Sequence, residues 1–264
     1  MNLSLSLPAA PDKLGRRGWL QSALGSGAGL SAMAALGLLQ ACGGSDAHAG
    51  PVFSNATGFP AFFDQAPVLR MHDALAQFLG AAEGGFIEYR YVDAVRLAGH
   101  SCPTVAGSYL MVLKGLAALH GADTPERGGI EVFMRDGPEE GVTGVIAAVA
   151  TLLTGAASAG GFPGMGAARR FGRKNLLRYQ TDGLSGVLAL RRRDTGQAVQ
   201  VGIDHDLIPW TDEMKALMPK AIGGQATPEE LQRFAWLWQE RVKQMLVEHA
   251  DDPKLVQVNL WSPA

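Results

Sequence analysis

The segment Gly99-His100-Ser101-Cys102-Pro103 sets an imidazole and a thiol two residues apart, immediately before a long apolar run. From Thr104 to Leu119 the run carries Val105, Tyr109, Val112, Leu113 and Leu116 at spacings of three and four, and Lys114 is its only charge. That pattern predicts a mostly buried helix. Pro103 suits the first helical position, where its fixed φ fits and its missing N–H would have no partner. Cys102 then falls at or beside the N-cap, where free N–H groups and the helix dipole favour a thiolate over a thiol. A thiolate beside an imidazole is what a soft metal ion requires, and it is also what nucleophilic chemistry requires. Cys102 is therefore both a candidate ligand and a candidate nucleophile.

Other donors have to come from elsewhere in the chain. His72 falls on the apolar stripe of an expected helix, Val68 to Leu79, and is the best candidate for a third ligand beside His100 and Cys102. His205, between Asp204 and Asp206, offers nitrogen and oxygen donors where a β region ends. His120 stands about 25 Å along the helix from Cys102 and is too distant to share its site. One thiolate with one or two imidazoles favours zinc over magnesium or calcium, and Cu⁺ fits the same donors. Two or three protein donors would leave a position open to water or a small-molecule ligand, as in a catalytic rather than a structural site. The glycine-rich stretch from 155 to 172, with Arg169, Arg170, Arg173 and Lys174 in or after it, is a candidate cradle for an anion. It lacks the spacing of a phosphate loop, and the chain has no nucleophile elbow, His-Glu-x-x-His or dinucleotide fingerprint.

The stretch around Gly99, His100, Cys102, Pro103 and Gly107 resembles the opening of the FmdE family, named for one component of formylmethanofuran dehydrogenase, whose core begins with Gly-His-x-Cys-Pro and a Gly/Ala-rich helix. The likeness continues through a strand (Gly129 to Arg135), a helix (Gly141 to Gly155) and Arg173-Lys174-Asn175-Leu176-Leu177, roughly the middle of the chain. The resemblance implies an α+β core with a metal-binding cleft at the start of the signature helix. It also implies that a carboxylate among Asp136, Glu139 and Glu140 reaches that cleft. It does not imply formylmethanofuran oxidation, which belongs to other components of that complex. The sequence departs from the family pattern at Ala98, where members often have a second His, and at Ala156, where members commonly have a Cys.

The first 49 residues read as an export signal and tether. Arg16-Arg17-Gly18-Trp19-Leu20 resembles a twin-arginine (Tat pathway) signal, and the uncharged Gly/Ala-rich run to Ala41 suits a cleaved signal better than a membrane helix. Two cleavage patterns follow. Leu39-Gln40-Ala41-Cys42 resembles a lipobox, which would make Cys42 a lipidated terminus and anchor the protein to the membrane facing the periplasm. Ala47-His48-Ala49 offers an ordinary signal peptidase site instead. The lipoprotein reading is favoured because Gly43-Gly44-Ser45 would serve as a tether. Either way Cys102 is the only thiol left in the folded domain, so no internal disulfide forms. With a formal charge of −2 and no basic, aromatic-interleaved face, nucleic acid is not an expected partner.

Residues 50–264 are expected to form one α+β domain with a mixed or antiparallel sheet. Its strands are read at Phe86–Tyr91, Ile130–Met134, Asn175–Thr181, Gly186–Arg193, Ala198–Ile203 and Val256–Trp261. Phe59, Phe62 and Phe63 should pack the entering arm onto the domain. Thr227-Pro228-Glu229-Glu230 is a capping box, which predicts a long C-terminal helix from Pro228 to about Glu248. Two roles are compatible with these features. The first is an exported metal-binding accessory or carrier protein. The second is an envelope enzyme using the metal or the thiolate on a small substrate, for which the arginine-rich loop would suit an anion.

Overall fold

The computed structural model describes residues 51–54 and 58–262. The export pair Arg16–Arg17 and the lipidation candidate Cys42 lie outside the described residues. The chain is α+β, as its sequence implies. A short hairpin pairs β1 (Leu69–His72) with β2 (Phe86–Tyr89), and α1 (Ala74–Phe78) lies between them in sequence. Then come α2 (Tyr91–Ala98), α3 (Pro103–His120), β3 (Ile130–Met134), α4 (Thr143–Thr154) and β4 (Leu177–Arg178). The chain ends with β5 (Leu188–Arg192), β6 (Ala198–Ile203), α5 (Asp212–Ile222), α6 (Pro228–Lys243) and β7 (Val256–Leu260). The main sheet has the order β4-β3-β5-β6-β7, parallel between β3 and β4 and antiparallel elsewhere.

The signature helix α3 lies across one face of this sheet, and two glycines let it come close. A Cβ on Gly107 would sit 2.5 Å from Ile203 Cδ1, and one on Gly115 would sit 2.7 Å from Leu190 Cδ1. Each glycine costs the helix up to about 1 kcal/mol of propensity, offset by close packing that a larger residue would prevent. α4 packs along α3 and reaches β3. The entering arm is seated as its aromatics suggest: Phe63 is buried and meets Tyr91 edge-on at 4.8 Å, and Tyr91 in turn meets Tyr109 at 5.8 Å. Tyr109 donates its buried hydroxyl to the carbonyls of Pro67 (2.6 Å) and Tyr89 (3.0 Å), tying α3 to the small hairpin.

Two sequence expectations are corrected. Val68 to Leu79 is a strand followed by one short helix, and the buried residues Leu69 and Met71 alternate while Val68 and Leu79 are exposed. Asp73 starts α1 by accepting from the N–H groups of Leu75 (2.9 Å) and Ala76 (3.1 Å), so the helix cannot begin at Val68. The extended run from Asn175 to Thr181 shrinks to the two residues of β4, because Asn175 and Gln180 both take positive φ and break it. The three arginines at the β5–β6 hairpin each have a partner, although Arg193 is exposed. Arg191 Nε donates to Glu131 at 2.7 Å, and Arg192 and Arg193 donate to the carbonyls of Leu119 (3.1 Å) and Gly128 (2.9 Å).

The long C-terminal helix begins at the expected capping box, with Thr227 Oγ1 accepting from Glu230 N–H at 3.2 Å and Glu230 accepting from Thr227 N–H at 3.0 Å. It is α-helical to Lys243 and closes with a π-helical turn from Gln244 to Glu248. α5 has no counterpart among the sequence expectations. Its signals are a Thr211 N-cap, two acidic residues in the first turn, and Met214 and Leu217 buried three apart.

Candidate metal centre

The His/Cys segment joins two helices. α2 ends at Gly99, whose left-handed conformation (φ 75°) turns the chain, and its N–H bonds Val95 O at 2.8 Å. His100 and Ser101 cross the gap, and Cys102 is the N-cap of α3 with extended backbone and Pro103 at N1. Its Sγ accepts the Val105 N–H at 3.5 Å, the position that a Ser or Asp oxygen takes in a conventional cap. The thiol is buried and, among the described residues, pairs with no other cysteine.

His100 is exposed, and its Nδ1 lies 3.0 Å from the Ala98 carbonyl oxygen. A carbonyl cannot donate, so Nδ1 carries the proton, and in the neutral ring the lone pair is on Nε2. A backbone carbonyl behind the ring is a usual support for a metal-binding histidine, because it fixes the tautomer and aims the free nitrogen outward.

Ser101, between the two candidate ligands, is held from three directions. Its Oγ donates to Gln239 Oε1 (3.0 Å) and therefore accepts from the buried Tyr91 hydroxyl (2.9 Å). Its carbonyl accepts from Trp238 Nε1 (2.9 Å) and Gln239 Nε2 (3.2 Å). Helix α6 thus clamps Ser101, the middle of the segment. Burial holds the Tyr91 phenol far above its ordinary value, so it stays a neutral donor. Sequence reasoning missed this clamp, because residues 238 and 239 are 137 and 138 positions from Ser101 and carry no local signal.

The other candidate donors are elsewhere. Among the described residues no group of three or more His, Cys, Asp or Glu side chains is arranged to hold a metal ion, and His72 has other partners. It ends β1 instead of lying on a helix, with Nδ1 hydrogen-bonded to Glu126 Oε2 and Nε2 3.0 Å from Gln77 Oε1. Both neighbours are acceptors, which calls for a proton on each nitrogen. The hydrogen bond to Glu126, against a smaller opposing effect of burial, raises the His72 pKa in keeping with that. A doubly protonated ring has no lone pair for a metal.

His205 is the histidine that packs against the first turns of α3. Its Cε1 lies 3.2 Å from where a Cβ on Gly107 would stand, and its Nδ1 is buried with no hydrogen-bond partner. Burial, and next the Arg241 charge, lower its pKa and keep it neutral. Asp204, its neighbour, caps the following 3₁₀ turn through the Asp206 N–H. Of the acidic run, Asp136 is taken by Arg135 at 2.9 Å.

The expected anion cradle has an internal anion. Arg173 is buried, and its Nη2 donates to Asp73 Oδ1 at 2.8 Å. Arg127 Nη1 donates to Asp73 Oδ2 at 3.1 Å. The Arg173 side chain is therefore structural, whereas Arg169, Arg170 and Lys174 are exposed.

Comparison with protein-family models finds none that matches the chain, and comparison with curated proteins finds no match.

Proposed function

We propose that this chain is an exported, lipid-anchored protein of the FmdE kind, which binds one transition metal ion, zinc foremost, in an accessory or carrier role. His100 Nε2 and Cys102 Sγ are the proposed donors. The observation that carries this reading is the Nδ1 contact of His100 with the Ala98 carbonyl, because it leaves the outward nitrogen as a ready ligand next to the thiol that caps α3. The Ser101 clamp supports it by restraining the backbone between the two donors. With two donors from this chain, the remaining positions would go to water or a small ligand. That makes the ion exchangeable, which suits a carrier better than a structural site.

The test is elemental analysis of the full chain after dialysis under reducing conditions, beside His100→Ala and Cys102→Ser. About one equivalent of zinc in the parent and its loss in both variants is the expected result. Equal metal in parent and variants would refute the assignment. Rapid removal of the ion by a chelator is expected of a carrier, and retention over hours would argue against that role.

A further inference from the structure

We propose that the outer edge of β7 is a self-association surface, on which a second copy of this chain adds its own β7 antiparallel to form a continuous sheet across a two-fold axis. β7 is an end strand of the main sheet, and its one strand partner is β6. Asp204 N–H bonds Leu255 O at 2.9 Å and Trp261 N–H bonds Ala198 O at 3.0 Å, which sets the alternation between them. Residues 255, 257, 259 and 261 turn their backbone groups toward β6. Those of Val258 and Leu260 therefore point away from it, with no strand to receive them among the described residues.

Sheet edges are ordinarily protected by shortness, charge or proline. The opposite edge meets this: β4 has only two residues, one of them Arg178. β7 has five residues, Val-Gln-Val-Asn-Leu, with no charge and no proline, and Leu260 is 89% exposed at its end.

A second copy fits this edge better than a charged partner would. With Val258 opposite Val258, Val256 falls opposite Leu260, and the outward backbone groups of both strands meet as hydrogen-bonded pairs. The exposed Leu260 gains an apolar neighbour. Lys254 falls opposite Ser262, so no like charges face each other. The strand end also borders a hollow of about 370 Å³ lined by Ala118, Leu119, Gln197, Val199, Leu260 and Ser262.

The experiment is the mass of the full chain in mild detergent by light scattering over a concentration series, for the parent, Leu260→Lys and Val258→Pro. Proline at 258 removes an N–H that faces away from β6, so the existing ladder is kept. The parent is expected to reach a two-chain mass in the micromolar range, and each variant to weaken association at least tenfold with an unchanged circular dichroism spectrum. Because either variant could fail to fold, Val258→Cys in a Cys42→Ser, Cys102→Ser background is the second measurement: mild oxidation should give a disulfide-linked dimer. A parent that stays a single chain, or a dimer indifferent to Leu260→Lys with no cross-link at 258, would overturn the proposal.

Discussion

Replacing Asp73 by alanine should be the most damaging single change in the polar centre behind the small hairpin. The carboxylate is 3% exposed and accepts four hydrogen bonds: two from the N–H groups that open α1, one from Arg127 and one from Arg173. Removing one partner of a buried ion pair costs about 3–5 kcal/mol, because the other charge stays buried. Loss of the helix cap adds about 1 kcal/mol. Two features reduce the total. The Arg127 side chain is 22% exposed and can turn toward water, and Arg173 keeps its bond to the Arg127 carbonyl. A net loss of about 4 kcal/mol follows, or a fall in Tm of about 8–16 °C for a domain of this size. Asp73→Asn keeps a capping oxygen and should lose about half as much.

The pH dependence of this change is equally specific. Burial alone would raise the Asp73 pKa, but the Ala76 N–H, Arg173 and Arg127 together outweigh it and hold the carboxyl below its ordinary 3.8. A depressed folded value means that the contribution is complete above the unfolded pKa and lost as pH falls through the folded one. The gap between parent and Asp73→Ala should therefore be full at neutral pH and narrow only in strong acid. Urea and thermal unfolding followed by circular dichroism would measure both. A loss under about 1 kcal/mol at neutral pH, or a gap already closing well above the carboxylate range, would refute the account of Asp73 as the counter-charge that permits Arg173 to be buried.

Two further outcomes test how the fold positions the His/Cys segment. Gly107→Ala would drive a methyl into Ile203 Cδ1, 2.5 Å from the ideal Cβ, and against the His205 ring. Overpacking of this kind costs about 2 kcal/mol, of which the better helix propensity of alanine returns about 1, so a net loss of about 1 kcal/mol and about 2–4 °C in Tm is expected, and a raised Tm would show that the Ile203 side chain yields without cost. Gln239→Leu removes both bonds that α6 makes through this residue to Ser101, and if the proposed site holds zinc it should weaken that binding at least about tenfold in a competitive chelator titration. Gln239→Glu, which keeps the acceptor for Ser101 Oγ, should recover part of that affinity, and unchanged affinity in Gln239→Leu would remove the clamp from the argument.

What the sequence made legible is what short-range chemistry determines. The start of α3 was readable because Pro103 and the spacing of its apolar residues act within one or two turns, and the start of α6 because Thr227 and Glu230 satisfy each other's backbone groups locally. His72 was misplaced because residues 68, 72, 75 and 79 meet a helical spacing while residues 69 and 71 equally meet a strand's. Only the pairing of β1 with β2, and Asp73 as cap, decide between the two.

The nature of the polar residues was less legible still, because a charge is defined by its partner. Arg173 read as a candidate anion ligand is the same residue whose anion is Asp73, 100 positions earlier. His72 read as a metal donor is a ring with an acceptor at each nitrogen, one of them on Glu126, 54 positions away. The His100–Cys102 pair, a proposed rather than observed ligand pair, differs from these in one physical respect. Its supporting bonds to Ala98 and Val105 are made within three residues, so the chemistry written in the segment needs little from the rest of the chain except the clamp on Ser101. Long-range contacts then decide how rigidly the pair is held. If the pair binds metal as proposed, mutations in α6 should change its affinity while leaving the identity of the ligands alone.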